Sequence, residues 1–261
     1  MNIDIHAHAF HPKIANKVVA QLHDHYGIPP VGDGTIEDLL ARSKKADIDK
    51  VVIHTAATDP AQVIPANNWA LELMEKHDEV ISFGSMHPDY ANIEQELDRI
   101  YARGIRGLKF HPDFQSFRMD DPKFYDLVEK LENRFTLMFH VGDVLPPEQN
   151  PSCPIKLAAL KEAFPKTTMI AAHLGGYRHW EWVIDSICGK EIYIDTSSAL
   201  PFIPQEHLDA IMKSHPREFV LFGSDYPLFD TSEEIYLVQE KLKFKDREVD
   251  EIMQNAQVFL T

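Results

Sequence analysis

The chain has 261 residues, of which 44% are hydrophobic, and its 41 Asp and Glu against 26 Lys and Arg give a formal charge of −15. That length suits one large α/β domain of about 250 residues or two small ones, with core enough to need no disulfides. A phosphate backbone is repelled by such a field, and with no basic run in the chain nucleic acid is disfavoured as a partner; acidic bias is equally a plain solubility device.

The first expected strand, residues 3–7, runs straight into His8. A strand repeats its side-chain direction every two residues, so Asp4, His6 and His8 share one face. A polar strand end and half of a metal site both remain open readings there. Further strands are expected at 50–55, 80–86, 105–110, 136–141, 168–174, 192–196 and 219–224. Runs such as Val51-Val52-Ile53 and Leu137-Met138-Phe139 are apolar throughout, as strands buried on both faces are.

Amphipathic spacing predicts helices over 67–76, 93–103, 122–131, 155–164, 205–213 and 232–242. Asp121-Pro122 and Thr231-Ser232-Glu233-Glu234 read as helix starts, Gly104 and Gly189 as stops. The first connection, 9–49, is far longer than a βα loop plus helix and is broken at Gly27-Ile28-Pro29-Pro30-Val31-Gly32-Asp33-Gly34. It predicts an extra helix at 13–23 leaning over the barrel mouth, then the regular one at 36–45. Segment 142–154 carries Pro146, Pro147, Pro151 and Pro154 and predicts a stiffened lid. Eight strands alternating with helices, with no break in composition, imply an α/β fold: a single (β/α)8 TIM barrel over 1–261 with a long first βα connection. An open doubly wound sheet is the alternative, but no Gly-rich dinucleotide loop follows the first strand. Cys153 and Cys188 have no CxxC spacing, which fits a reducing compartment. With neither a leader before Asn2 nor an apolar run near the roughly 18 residues of a membrane helix, a cytoplasmic protein without a membrane partner is expected.

Active residues of such a barrel sit at the C-terminal ends of its strands. Those ends carry His6 and His8, Lys109 and His111, His140, His173, Asp195 and Asp225 in turn. A lone histidine at such a rim is more often a satisfied structural residue. Four of them, His6, His8, His140 and His173, with a closing aspartate are hard to explain as solvated groups, and a metal ion satisfies several at once. Arg178 offers a guanidinium fork for a substrate carboxylate, or else packs at a helix start with Trp180 and Trp182. Phe10, His11, Phe114, Phe117 and Arg118 are further wall candidates, and Asp195 an anchor for a ligand.

The segments Ile3-Asp4-Ile5-His6-Ala7-His8, Gly107-Leu108-Lys109-Phe110-His111-Pro112, His173-Leu174-Gly175-Gly176 and Gly223-Ser224-Asp225-Tyr226-Pro227 resemble the amidohydrolase superfamily. The likeness is to its amidohydrolase-related branch, which contains aminocarboxymuconate semialdehyde decarboxylase; the ending 252–260 is similar to that branch's closing helix. The resemblance spans essentially the whole chain. It implies that His6, His8, His140 and Asp225 hold one divalent ion, zinc first, manganese or iron as alternatives. It further implies a metal-activated water, Asp225 as its proton acceptor and His173 as a general acid/base or oxyanion donor. Lys109 corresponds to the carboxylated lysine of binuclear members; in the mononuclear branch Lys109 or His111 would bind substrate. Homodimers are common in that family.

The expected activity is hydrolysis of a C–N or C–O bond in a small carbonyl or carboxylate substrate, an amide or lactone. The alternative is non-oxidative decarboxylation of a small unsaturated or aromatic acid. A TatD-like deoxyribonuclease is disfavoured by Lys109, where that family carries a glutamate, and by the acidic charge. A barrel retained only for binding is disfavoured by the intact ligand set.

Overall fold

The computed structural model describes residues 1–131 and 133–259. Its strands are β1 (Ile3–Ala7), β2 (Lys50–His54), β3 (Val80–Ser85), β4 (Gly107–Phe110), β5 (Thr136–Phe139), β6 (Met169–Ala171), β7 (Tyr193–Asp195) and β8 (Val220–Leu221). They pair in parallel, in sequence order, as one eight-stranded sheet. β1 and β8 meet through single contacts: the Ile5 amide donates to Phe222 O at 2.9 Å, the Asp225 amide to His6 O at 2.7 Å, and Ala7 bridges Tyr226. The sheet is therefore a nearly closed barrel, the (β/α)8 architecture that the alternation implies.

Apolar strand residues divide between two cores. Ile3, Ile5, Val52, Phe83, Met138 and Ile170 fill the barrel, while the other faces of the strands pack under the helices. Two helices, α1 (Ala15–Tyr26) and α2 (Ile36–Lys45), lie between β1 and β2. Then follow α3 (Val63–Lys76), α4 (Ile93–Ala102), the single turn α5 (Pro112–Gln115), α6 (Pro122–Lys130) and α7 (Pro154–Ala163). The last are α8 (Trp180–Ser186), α9 (Gln205–Ser214), α10 (Thr231–Leu242) and α11 (Asp246–Gln254).

The differences from the sequence expectation have local causes. α1 runs on to Tyr26 and stops at Gly27, whose φ of 67° gives the left-handed C-cap. α3 starts at Val63 because Pro65 falls in its first turn, where the missing N–H is not needed. α10 is capped one residue early, by Asp230, which accepts the Ser232 and Glu233 amides at 2.9 and 3.3 Å. β6 ends at Ala171 because His173 and Leu174 have φ of 61° and 53°. β8 is short because Phe222 and Asp225 turn to bond with β1. α5 and α11 escape the spacing argument, the first by its brevity and the second by its charged surroundings. Of the closing segment, Leu260 lies outside the described residues; Asn255 donates to the carbonyls of Arg217 and Val220, both at 2.9 Å. Among the described residues no helix is long and apolar enough to cross a membrane.

Candidate metal centre

The C-terminal rim gathers the residues singled out above. His6 Nδ1 lies 3.0 Å from Asp195 Oδ2 and 2.9 Å from Ser197 Oγ, and His8 Nδ1 lies 3.0 Å from the His54 carbonyl. A carboxylate and a carbonyl can only accept, so in neutral rings Nδ1 carries the proton and Nε2 is a lone pair. Both lone pairs face Asp225: Oδ1 is 3.6 Å from His6 Nε2 and 3.2 Å from His8 Nε2. Ser198 Oγ donates to the other oxygen. The ligand atoms of His6, His8 and Asp225 all lie within 4.8 Å of one another. Three acceptors drawn together in this way form a candidate site for a divalent ion.

Deeper in, Lys109 is buried with Nζ 3.1 Å from His6 Nε2. His173 hydrogen-bonds the Ser197 carbonyl through Nδ1 at 3.0 Å, and its Nε2 meets His140 Nδ1 at 3.0 Å. His140 falls outside the His6–His8–Asp225 group, but its Nε2 is buried without a hydrogen-bond partner. His111 lies flat between Phe114 and His140, centroids 4.0 and 3.9 Å away, and its Nε2 meets Tyr26 Oη at 3.2 Å. A second potential ligand group, His111, Asp113 and His140, shares that corner. Arg178 is not brought to the cluster. It stands exposed over the Tyr177 ring at 5.3 Å, beside a surface pocket lined by Trp180, Trp182 and Phe202.

Burial sets the electrostatics. It drives the imidazoles of His6 and His111 well below their usual range, with Lys109 adding to the effect, and that of His140 likewise, with His111 beside it. It lowers Lys109 to about 8 although Asp195 and Asp225 favour its charge. Burial pushes Asp225 up, but His8, His173 and Ser198 outweigh it and keep the carboxylate ionised below the usual range. Asp4 is pushed to about 7 by burial, against its bonds from Ser224. Its Oδ1 accepts the His6 and Ser224 amides at 3.1 and 3.0 Å, so Asp4 staples β1 to the end of β8 instead of joining the ligands.

Several participants were not singled out from sequence. His54 ends β2, and its ring packs 5.1 Å from that of His6; the strand-end rule that selected the others reaches it as well. Ser197 and Ser198 directly follow Asp195, but nothing in their residue type marks them. Tyr26 reaches the site from α1 and carries no rim signal at all.

A barrel with an imidazole–carboxylate cluster at the ends of its strands is an arrangement that suits metal-assisted chemistry. The Amidohydrolase family model matches residues 3–256, and the chain belongs to that family. No curated protein matches it. Among solved structures, 2,6-dihydroxybenzoate decarboxylase from Rhizobium aligns at 15% identity with a TM-score of 0.72, over 99% of this chain and 98% of that one. The probable 2-pyrone-4,6-dicarboxylic acid hydrolase from Acinetobacter baumannii, with citric acid bound, aligns at 15% and 0.70, over 100% and 99%. The dihydroxybenzoic acid decarboxylase from Polaromonas sp. JS666, with bound manganese and 2-nitroresorcinol, aligns at 14% and 0.69, over 99% and 96%. At such identities the likeness is one of fold.

Proposed function

We propose that the protein is a metal-dependent hydrolase that opens a C–N or C–O bond of a small carbonyl or carboxylate substrate, an amide or a lactone. The observation that carries this reading is the convergence of the His6 and His8 lone pairs on Asp225 Oδ1. These three residues, with the partnerless Nε2 of His140 as fourth donor, are the ligands we assign. A divalent ion there, zinc or manganese, supplies Lewis acidity and a water acidic enough to react near neutral pH.

The remaining work falls to the chain's own side chains. Asp225 stays ionised and so can take a proton on Oδ1 while Ser198 holds Oδ2 in place. His173, held through Nδ1 by the Ser197 carbonyl and through Nε2 by His140 Nδ1, is the second group we assign to proton handling, by way of that imidazole pair. Lys109 lies with Nζ 3.1 Å from His6 Nε2; with that lone pair taken by an ion, its N–H groups would be free to donate to a developing oxyanion, and His111 forms part of the substrate wall.

Decarboxylation of a small aromatic acid is the second reading, favoured by the decarboxylases among the similar structures. Metal analysis of protein purified without chelator, followed by assay of amides, lactones and aromatic acids, separates the two. Acid release abolished by His6→Ala is the expected result. Carbon dioxide release at catalytic rates selects decarboxylation, and absence of stoichiometric metal overturns both.

A further inference from the structure

Residues 12–30 leave the barrel and return to it over the mouth. Their base is fixed: Phe10 donates to Gly34 O at 2.8 Å, Gly34 to Tyr226 Oη at 3.1 Å, and Val31 to Pro227 O at 2.9 Å. Beyond that base the excursion is held mainly at its far end, where Tyr26 packs against the Phe114, His140 and Tyr177 rings and His25 against Phe114. Of α1, only Ala15 is buried. At the far end two side chains reach the barrel: His25 Nε2 lies 3.3 Å from Asp143 Oδ2, and Tyr26 Oη lies 3.2 Å from His111 Nε2.

The segment also has the parts a hinge needs. Pro12 precedes α1; Gly27, at φ 67° with open space where a Cβ would be, follows it, and Pro29 and Pro30 lead back to the base. Where α1 rests on the base the fit is close, since a Cβ on Gly34 would meet Val19 Cγ2 at 2.7 Å and the Phe10 ring at 2.9 Å. Segments with little buried apolar surface and few tertiary hydrogen bonds open first.

We propose that residues 12–30 are a flap that opens about its Phe10–Gly34 base, and that Tyr26 is the positioning residue through which its closure is felt in the site. Tyr26 acts through His111. Holding His111 Nε2 fixes a ring that lies 3.9 Å from, and within 9° of parallel to, His140, whose Nδ1 in turn meets His173. Closure therefore adds a second hold on His111 and covers the mouth; opening releases Nε2, leaving the ring on the Phe114 amide through Nδ1 alone, and admits solvent and substrate. The inference rests on the reading above only in taking the site beneath the flap as the reacting one.

Amide hydrogen exchange on the full-length protein with zinc added tests it. In the unmodified protein the α1 amides should exchange together and well before those of α3. Tyr26→Phe keeps the ring and loses the hydroxyl, and should speed exchange across 15–26 about fivefold to tenfold, the loss of one hydrogen bond, leaving the strands within about twofold. Gly34→Ala should act alike by propping α1 off its base. In Tyr26→Phe the imidazole nitrogen signals of His111 and His140 should move while those of the remote His215 stay. Zinc should leave to pyridine-2,6-dicarboxylate faster in both variants at unchanged stoichiometry. Protection of α1 equal to that of α3, or equal acceleration of flap and strands in Tyr26→Phe, overturns the flap. Unmoved His111 and His140 signals overturn the role of Tyr26. Failure to bind any metal defeats the functional reading instead, and the exchange data still decide on the flap.

Discussion

Asp195 restrains several groups of the site at once. Oδ2 lies 3.0 Å from His6 Nδ1, while Oδ1 accepts the His173 amide, the Ser197 amide and the Ser197 hydroxyl at 3.0, 3.0 and 2.5 Å. It keeps the His6 proton on Nδ1 and hence the lone pair on Nε2. An amide in its place can present its NH2 to His6 and favour the wrong tautomer. Asp195→Asn should therefore weaken zinc binding about 10–100-fold with the fold retained; competition against a chromophoric chelator measures it, and an unchanged affinity would remove Asp195 from the site. Asp113 gives a residue-scale test of stability. Burial lifts its carboxyl to about 6, against hydrogen bonds from Ser152 and Asn150. The folded chain then holds the proton more tightly than the unfolded one, so the contribution is full below the unfolded value of 3.8 and lost as pH rises through about 6. Asp113→Asn should raise stability by about 2 kcal/mol at pH 7.5 and by almost nothing at pH 3.5, read from urea midpoints at both pH values.

At the level of elements, the corner after β5 depends on Gly142. Its φ is 81°, and a Cβ would stand 2.3 Å from the Tyr177 carbonyl oxygen, which is backbone and cannot turn aside. The same approach lets the Tyr177 amide donate to Val141 O at 2.7 Å, joining the turn that carries His173 to the end of β5. Gly142→Ala should cost about 3 kcal/mol or more and displace Tyr177, measured by urea midpoint and by the near-ultraviolet circular dichroism of the buried aromatics. A cost under about 1 kcal/mol would mean that the corner yields freely. Such joints explain what could be read from the chain and what could not. Strand alternation put His6 and His8 on one face, and the rim rule found Asp225, because both follow from periodicity. Gly142 and Tyr177 are 35 residues apart, and only the folded corner relates them. The extra helix after β1 was legible from the length of its connection, but its reach to Tyr26, and so the contact with His111, depends on where Gly27 stops it.

For the whole molecule, the decisive property is an interior of neutral ionisable groups. Burial lowers the imidazoles of His6, His54, His111, His140, His173, His179 and His215, groups that take protons more readily once unfolded. Their contribution to stability is full above the unfolded value of 6.5 and is lost as pH falls toward their folded values. Three acids act in the opposite sense: Asp4 at about 7, Asp113 at about 6, and Glu234, raised by burial. They hold protons when folded and release them when unfolded, so acid favours the fold until the unfolded acids are themselves protonated. Between about pH 6.5 and 4.5 the two sets act against one another. As pH falls below the unfolded carboxyl values of 3.8 and 4.5 the acids cease to differ between the states and the imidazoles act alone. The metal-free protein should thus lose stability more gently from pH 6.5 to 4.5 than at lower pH, where it should unfold because total stabilities are only about 5–15 kcal/mol. Urea midpoints across pH 3–7 test this, and a steep loss beginning at pH 6.5 would show that the acids do not compensate. Zinc binds only the deprotonated imidazoles and the ionised Asp225, so the midpoint gained on adding zinc should shrink as pH falls. A gain independent of pH would place the ion away from the histidines altogether.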